Sequence, residues 1–202
     1  MPTITLSKWS NAEGRTFEID ADEQVLIDVL AKLAAHPDLT NDSYLQIVNS
    51  HARETGQHFS KSELVQAYRK LVEAGKIEQD RVLMQRLVRK PVRSHSGVAP
   101  VTVLTKPFPC PGECIFCPTF EIMPKSYVPD EPGSLRALQN DFDPFMQTSS
   151  RLHSFQATGH SVNKVELLIL GGTWSSYPRD YQEWFVQRCL NGFLTFSNGL
   201  TR

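Results

Sequence analysis

Cys110, Cys114 and Cys117 gather three of the chain's four cysteines into the stretch Lys106–Phe120, KPFPCPGECIFCPTF. Thiolates are metal ligands and nucleophiles, so the spacing Cys-x3-Cys-x2-Cys asks what chemistry needs three of them together. A structural zinc site takes four ligands, usually in two pairs, and the second pair is missing. Cys189 lies far downstream on the apolar side of a helical segment, where a buried, inert thiol is the ordinary reading. A disulfide leaves one loop cysteine over, and a redox pair Cys-Ile-Phe-Cys fits poorly with a third cysteine beside it. Thiolates are also the usual ligands of iron–sulfur clusters. Three of them hold a four-iron cluster by three corners and leave the fourth iron open to a small molecule. A zinc module completed by Cys189 or a histidine stays open as an alternative that metal analysis separates.

A second chemical feature is Gly171-Gly172-Thr173, directly after the apolar run Lys164–Leu170. A glycine pair after a strand is an ordinary turn, and it also lets backbone approach a ligand closely.

These residues need a scaffold. The segments DEQVLIDVLAKLAAH, TNDSYLQIVNSHARETG, SKSELVQAYRKLVEAG and QDRVLMQRLVRK carry helical apolar periodicity. The second is expected to end at Gly56, and in the third Ser60 and Glu63 form a capping box with Gly75 as C-terminal cap. Ile4, Leu6, Trp9, Phe17 and Ile19 are scattered apolar anchors before them. Residues 1–90 therefore read as a helical domain. The texture changes after Pro91. Gly97–Thr105 reads as a β-branched strand weakened by Pro100, and the cysteine loop follows. A long helix capped by Ser134 and bent or broken at Pro144 comes next. A buried strand at Lys164–Leu170 follows, then an amphipathic helix with Tyr181, Trp184, Phe185 and Cys189 on one side. Strand, loop, helix, strand, loop, helix predicts an α/β region, residues 91–202, with parallel strands and right-handed crossovers. Two such units cannot close a barrel, so the chain reads as part of a longer protein.

Composition sets outer limits. With 40% hydrophobic and 21% charged residues and a net charge of −1, the chain can bury a core and stay in solution. It has no long apolar run for a membrane span and no secretory leader, which points to the cytoplasm and to reduced thiols. The near-neutral total hides a basic stretch. Leu83–Pro109 carries Arg86, Arg89, Lys90, Arg93 and Lys106 and no acid. Such a run is either a solvated face or a phosphate-binding surface.

The cysteine spacing, on the loop after the first strand of a β/α sheet, resembles the signature of the radical S-adenosylmethionine enzymes. The resemblance implies that Cys110, Cys114 and Cys117 ligate a 4Fe–4S cluster. It further implies that S-adenosyl-L-methionine chelates the open iron and yields a 5′-deoxyadenosyl radical. It places the aromatic Phe116 near the adenine, and Gly171, Gly172 and Thr173 beside the methionyl group. Many members carry an acid where this chain has Thr173. Three segments narrow the likeness: KPVRSHSGVAPVTVLTKPFPCPGECIFCP, SYVPDEPGSLRALQNDFDPFMQTSSRL and GHSVNKVELLILGGTWSSYPRDYQEWF. Together they resemble the catalytic third subunit of Elongator and its prokaryotic stand-alone relatives, which modify wobble uridine-34 of tRNA. That family joins a radical (β/α) barrel to an acetyltransferase-like domain, uses acetyl-CoA as substrate and builds a carboxymethyl group on C5. The resemblance implies that this chain holds the helical region and the first units of an incomplete barrel. It makes a tRNA anticodon loop the expected partner of Arg86, Arg89, Lys90, Arg93 and Lys106. Arg136 is a weaker candidate, and His95 is the one histidine worth testing for RNA contact. A non-catalytic tRNA- or partner-binding product is the second alternative. Replacing Arg89 and Lys90, but not the cysteines, would abolish its role.

Overall fold

The computed structural model describes Ile19, residues 21–53, 55–88 and 90–199. Ile4, Leu6, Trp9, Phe17 and Arg89 lie outside the described residues. The chain divides into two compact units. One runs to Ser96 and takes in Phe155–Ser161; the other comprises Gly97–Ser154 and runs on from Val162.

The first unit is helical: α1 Glu23–Ala35, α2 Asn41–Asn49, α3 Lys61–Glu73 and α4 Arg81–Leu87, followed by a short 3-10 turn at Pro91–Ser94. Leu26, Val29, Leu30 and Leu33 of α1, Leu64, Val65 and Leu71 of α3 and Leu87 of α4 are fully buried in one core, joined by Ile19. The three- and four-residue spacing of these positions puts them on one face of each helix. The capping box read from the sequence is present: Ser60 accepts the Glu63 N–H, and Glu63 accepts the Ser60 N–H at 2.8 Å. Gly75 closes α3 with a left-handed φ of 68°. Helix α2 stops at Asn49 rather than Gly56. The Ser50 hydroxyl donates to the Ile47 carbonyl, and the His51 ring shares the same carbonyl, so side chains replace the next helical turn. Leu45, one of the apolar residues of this helix, is 45% exposed.

The second unit is α/β. Strands β1 Ala99–Leu104 and β2 Val165–Leu170 pair in parallel, with Ala99 opposite Val165 and Leu104 opposite Leu170. Between them lie α5 Pro132–Gln139 and α6 Pro144–Ala157, and after β2 come a 3-10 turn at Trp174–Ser176 and α7 Arg179–Ser197. Parallel strands joined through helices are the arrangement predicted from the element order. Among the described residues the sheet has these two strands.

Two expectations need correction, and a third resolves between its two options. Glu131, not Ser134, is the N-cap of α5, and Ser134 lies buried inside it behind Pro132 at the first turn. The long helix is broken rather than bent, and the break lies just ahead of Pro144: Asp141 and Phe142 adopt left-handed φ of 49° and 55° past the first helix, and Pro144 opens the second. The Asp143 carboxylate accepts the Met146 N–H at 2.8 Å, so Asp-Pro works as a start signal. Strand β2 is half-exposed rather than buried. Among the described residues it has one strand neighbour, and an apolar run of this kind is fully covered only inside a wider sheet. No helix among the described residues is long and apolar enough to cross a membrane.

Candidate functional site

The cysteine loop leaves β1 at Thr105 and is held from α7. The Lys106 N–H donates to the Tyr181 hydroxyl at 3.1 Å, and the Lys106 ammonium lies 4.9 Å from the Phe108 ring centre and 5.2 Å from that of Tyr181. Phe108 in turn packs on Tyr177 and Tyr181, both at 4.8 Å between centroids. These rings hold the start of the loop, and the rest is open. Cys110 and Cys117 are half-buried and Cys114 is exposed, all three as free thiols. Ile115 and Phe116 are each 91% exposed, so Phe116 packs against neither the loop nor the sheet. Cys114 and Cys117 sit in one tight turn, with the Cys117 N–H donating to the Cys114 carbonyl at 3.1 Å.

Cys110 meets the second motif. Its sulfur lies 3.6 Å from the Thr173 hydroxyl. The Gly112 N–H and the Thr173 hydroxyl, with a smaller contribution from the charge of Lys125, hold its thiol below the usual value against an opposing effect of desolvation. This is the environment that favours thiolate over thiol. The donor set therefore fits a cluster in kind. Among the described residues no three His, Cys, Asp or Glu side chains are gathered closely enough to hold a metal ion. The loop carries the three thiols, and in this structure they are not drawn together.

The glycine turn is more firmly built than the loop. The Tyr177 hydroxyl accepts the Gly172 N–H at 2.7 Å and pairs with the buried Thr105 hydroxyl at 2.9 Å. A side chain on Gly171 would run into Thr105 and lie 2.9 Å from the Tyr177 oxygen. Glycine is required there by space, not by backbone angle. Tyr127, its phenol pushed up by burial, takes a hydrogen bond from the Gly171 backbone that partly offsets that rise. Thr105 and Tyr127 escaped the sequence reading because each acts on the turn from another part of the chain, and Tyr177 because its role lies in hydroxyl contacts that only the fold reveals. The one available signal was the tyrosine spacing after Gly-Gly-Thr, which reads equally well as a helix start.

Of the expected RNA contacts, Lys90 and Arg93 are exposed in the helical unit and Lys106 is exposed in the α/β unit. His95 is also exposed. Arg86 has a different occupation. Its Nη1 donates to the carbonyls of Leu33, Ala34 and His36 at 2.9, 3.2 and 2.7 Å, and its Nη2 to that of Pro37 at 3.3 Å. Those are the open carbonyls at the end of α1, where a cation is doubly favourable. Cys189 is fully buried, and desolvation raises its thiol to about 11, which fits an inert core position.

No family model matches the chain. Comparison with curated proteins finds clear relatives. The chain is 45% identical over 120 residues to the tRNA uridine(34) acetyltransferase of Methanocaldococcus jannaschii, covering 56% of this chain and 22% of that protein. It is 46% identical over 113 residues to the protein of the same name from Dehalococcoides mccartyi, covering 54% and 25%. It is 40% identical over 118 residues to Elongator complex protein 3 of Homo sapiens, covering 53% and 22%. The likeness read from the sequence is thus to homologues of these two names, over part of the chain. The chain spans about a fifth to a quarter of the length of the curated relatives it matches.

Proposed function

We propose that this chain is the cluster-bearing part of an enzyme that modifies uridine-34 of tRNA, as its relatives' names describe. The observation that carries the reading is the contact between Cys110 and Thr173, which joins the three-cysteine loop to the Gly171–Thr173 turn. Cys110, Cys114 and Cys117 hold a 4Fe–4S cluster, which when bound supplies the electron that cleaves S-adenosyl-L-methionine. Gly171, Gly172 and Thr173 bind the methionyl end of that cofactor through backbone and hydroxyl. Phe116, exposed beside Cys117, is assigned to the neighbourhood of its adenine. In the longer protein the remaining strands complete a radical (β/α) barrel, and acetyl-CoA supplies the carbon that is transferred.

RNA binding is assigned to Arg89, Lys90, Arg93 and Lys106, which grip the backbone of the anticodon loop while the target base leaves its stack. Arg86 is assigned to the fold, because its guanidinium is engaged by four carbonyls.

The test is anaerobic reconstitution with iron and sulfide. About four irons per chain, as the cluster type requires, and a visible band bleached by dithionite and altered by S-adenosyl-L-methionine are expected. Zinc without acid-labile sulfide, or equal iron uptake by a Cys110→Ser, Cys114→Ser, Cys117→Ser triple variant, would defeat the reading.

A further inference from the structure

The feature left unused by the proposed chemistry is the hydroxyl pair behind the glycine turn. Tyr177 is 5% exposed and Thr105 fully buried. Thr105 is the first residue past β1 and takes its own ladder bond, its N–H donating to the Leu170 carbonyl at 2.9 Å. Its hydroxyl then meets the Tyr177 hydroxyl at 2.9 Å, and Tyr177 accepts the Gly172 N–H at 2.7 Å. A chain of three hydrogen-bonded groups thus runs from the end of one strand to the turn after the other. The Tyr177 ring is clamped by Phe108 at 4.8 Å and Trp174 at 5.8 Å, so its hydroxyl has little freedom to follow a shifting turn. The turn it fixes presents Thr173, whose hydroxyl lies 3.6 Å from the Cys110 sulfur.

We propose that Tyr177, backed by Thr105, is a positioning residue that latches the Gly171–Thr173 turn in the register needed to receive S-adenosyl-L-methionine against the cysteine loop. The role rests on the function proposed above. It acts through the Gly172 backbone, not by touching the cofactor. A buried tyrosine whose hydroxyl were only filling space would be replaceable by phenylalanine. A latch would not, because Gly172 then loses its acceptor and the turn gains freedom at the point of ligand contact.

The test compares wild type with Tyr177→Phe, Thr105→Val and Tyr181→Phe. The last removes a hydroxyl from the same ring cluster, one that accepts from Lys106 and not from the turn. In the full chain, before iron is added, Tyr177→Phe is expected to speed amide hydrogen exchange at Gly172 by about tenfold. In the reconstituted chain it is expected to leave iron content unchanged and raise the S-adenosyl-L-methionine concentration at half-maximal spectral change by about tenfold. Thr105→Val should move both readouts the same way by less, and keeps the test alive if Tyr177→Phe folds poorly. Tyr181→Phe, whose hydroxyl accepts from the cysteine loop and not from the turn, should leave Gly172 exchange unchanged. Wild-type protein that takes up no iron and sulfide overturns the underlying reading and this role with it. Unchanged Gly172 exchange, or an unchanged midpoint in a loaded Tyr177→Phe chain, overturns the latch alone.

Discussion

The side-chain amide of Gln147 reads the backbone of Leu104 as a neighbouring strand would. Its Oε1 accepts the Leu104 N–H at 2.8 Å and its Nε2 donates to the Leu104 carbonyl at 2.9 Å. Ala99 and Thr105 donate toward β2, so alternate residues of β1 turn their polar groups the other way. Leu104 is among those, with 1% exposure, and Gln147 on α6 is 4% exposed. Replacing Gln147 by Leu keeps the size and strands two buried backbone groups. Each such group costs about 1–3 kcal/mol, so a loss of roughly 2–6 kcal/mol is expected. Gln147→Glu keeps the acceptor, loses the donor and buries a carboxylate, and should be no better. Denaturant midpoints of the three proteins check this.

Gly192 sets how closely α7 approaches α6. A Cβ there would lie 3.0 Å from Thr148 Cβ, 3.1 Å from Thr148 Cγ2 and 3.2 Å from the Phe145 carbonyl oxygen. Alanine in a helix interior normally gains about 1 kcal/mol over glycine. Here the obstacles are a backbone oxygen and a β-branched side chain, neither of which yields cheaply. Overpacking of this kind costs about 1–3 kcal/mol. Gly192→Ala is therefore expected to be net destabilising by about 1 kcal/mol, reversing the usual sign. Thermal unfolding of the two proteins is the comparison.

Elements with strong local codes were legible. Helices α1 and α3 have long apolar periodicity, and Ser60, Glu63 and Gly75 mark the ends of α3 within their own sequence neighbourhood. The parallel order of β1 and β2 followed from the alternation of elements. The errors and open points fall where local signals compete. Pro144 breaks a helix or begins one, and Asp143 beside it decides for the second. Ser134 is a good cap in isolation, but the chain was already helical from Pro132. In the candidate site the cysteine loop and the glycine turn could be singled out locally by residue type and spacing, and the fold brings them together at Cys110 and Thr173. Thr105 and Gln147 could not be, because their partners are 72 and 43 residues away, and Tyr177, five residues past Gly172, reads in sequence as an ordinary helix start. The basic stretch shows the same limit. Arg86 looks like its neighbours in sequence, and only folding brings it to the end of α1.

Acid should loosen the helical unit through Glu63. Burial works to raise its pKa, but the Ser60 hydroxyl and N–H and the Arg53 guanidinium outweigh it, and the net shift is downward. A carboxyl lowered on folding contributes stability that is fully present above its unfolded value, about 4.3 for a glutamate. That contribution fades as pH falls through the lower folded value. The group is partly exposed, so its share is below about 1 kcal/mol. Glu63→Gln should be less stable than wild type at neutral pH. The difference should shrink as pH falls below the ordinary glutamate range, since protonated Glu63 resembles the variant. Unfolding free energies of both proteins across that range provide the check.

Two arginines of the basic stretch separate fold from RNA binding. Arg86 holds the last carbonyls of α1, and Arg93 is exposed. Arg86→Ala leaves those carbonyls without their cation and should cost about 1–3 kcal/mol of stability. Arg86→Lys should recover part of that, because one ammonium cannot span the same carbonyls as a planar fork. Arg93→Ala should leave stability within about 0.5 kcal/mol. For RNA the order reverses. If Arg93 contacts a phosphate, Arg93→Ala weakens binding to an anticodon stem-loop at all sequences and lowers the salt slope of the affinity by about 1. Arg86→Ala, compared at a temperature where it is fully folded, leaves that slope unchanged. Affinities at several salt concentrations, with unfolding curves of the same samples, decide both assignments. A slope that falls for Arg86→Ala and not for Arg93→Ala would exchange the two roles.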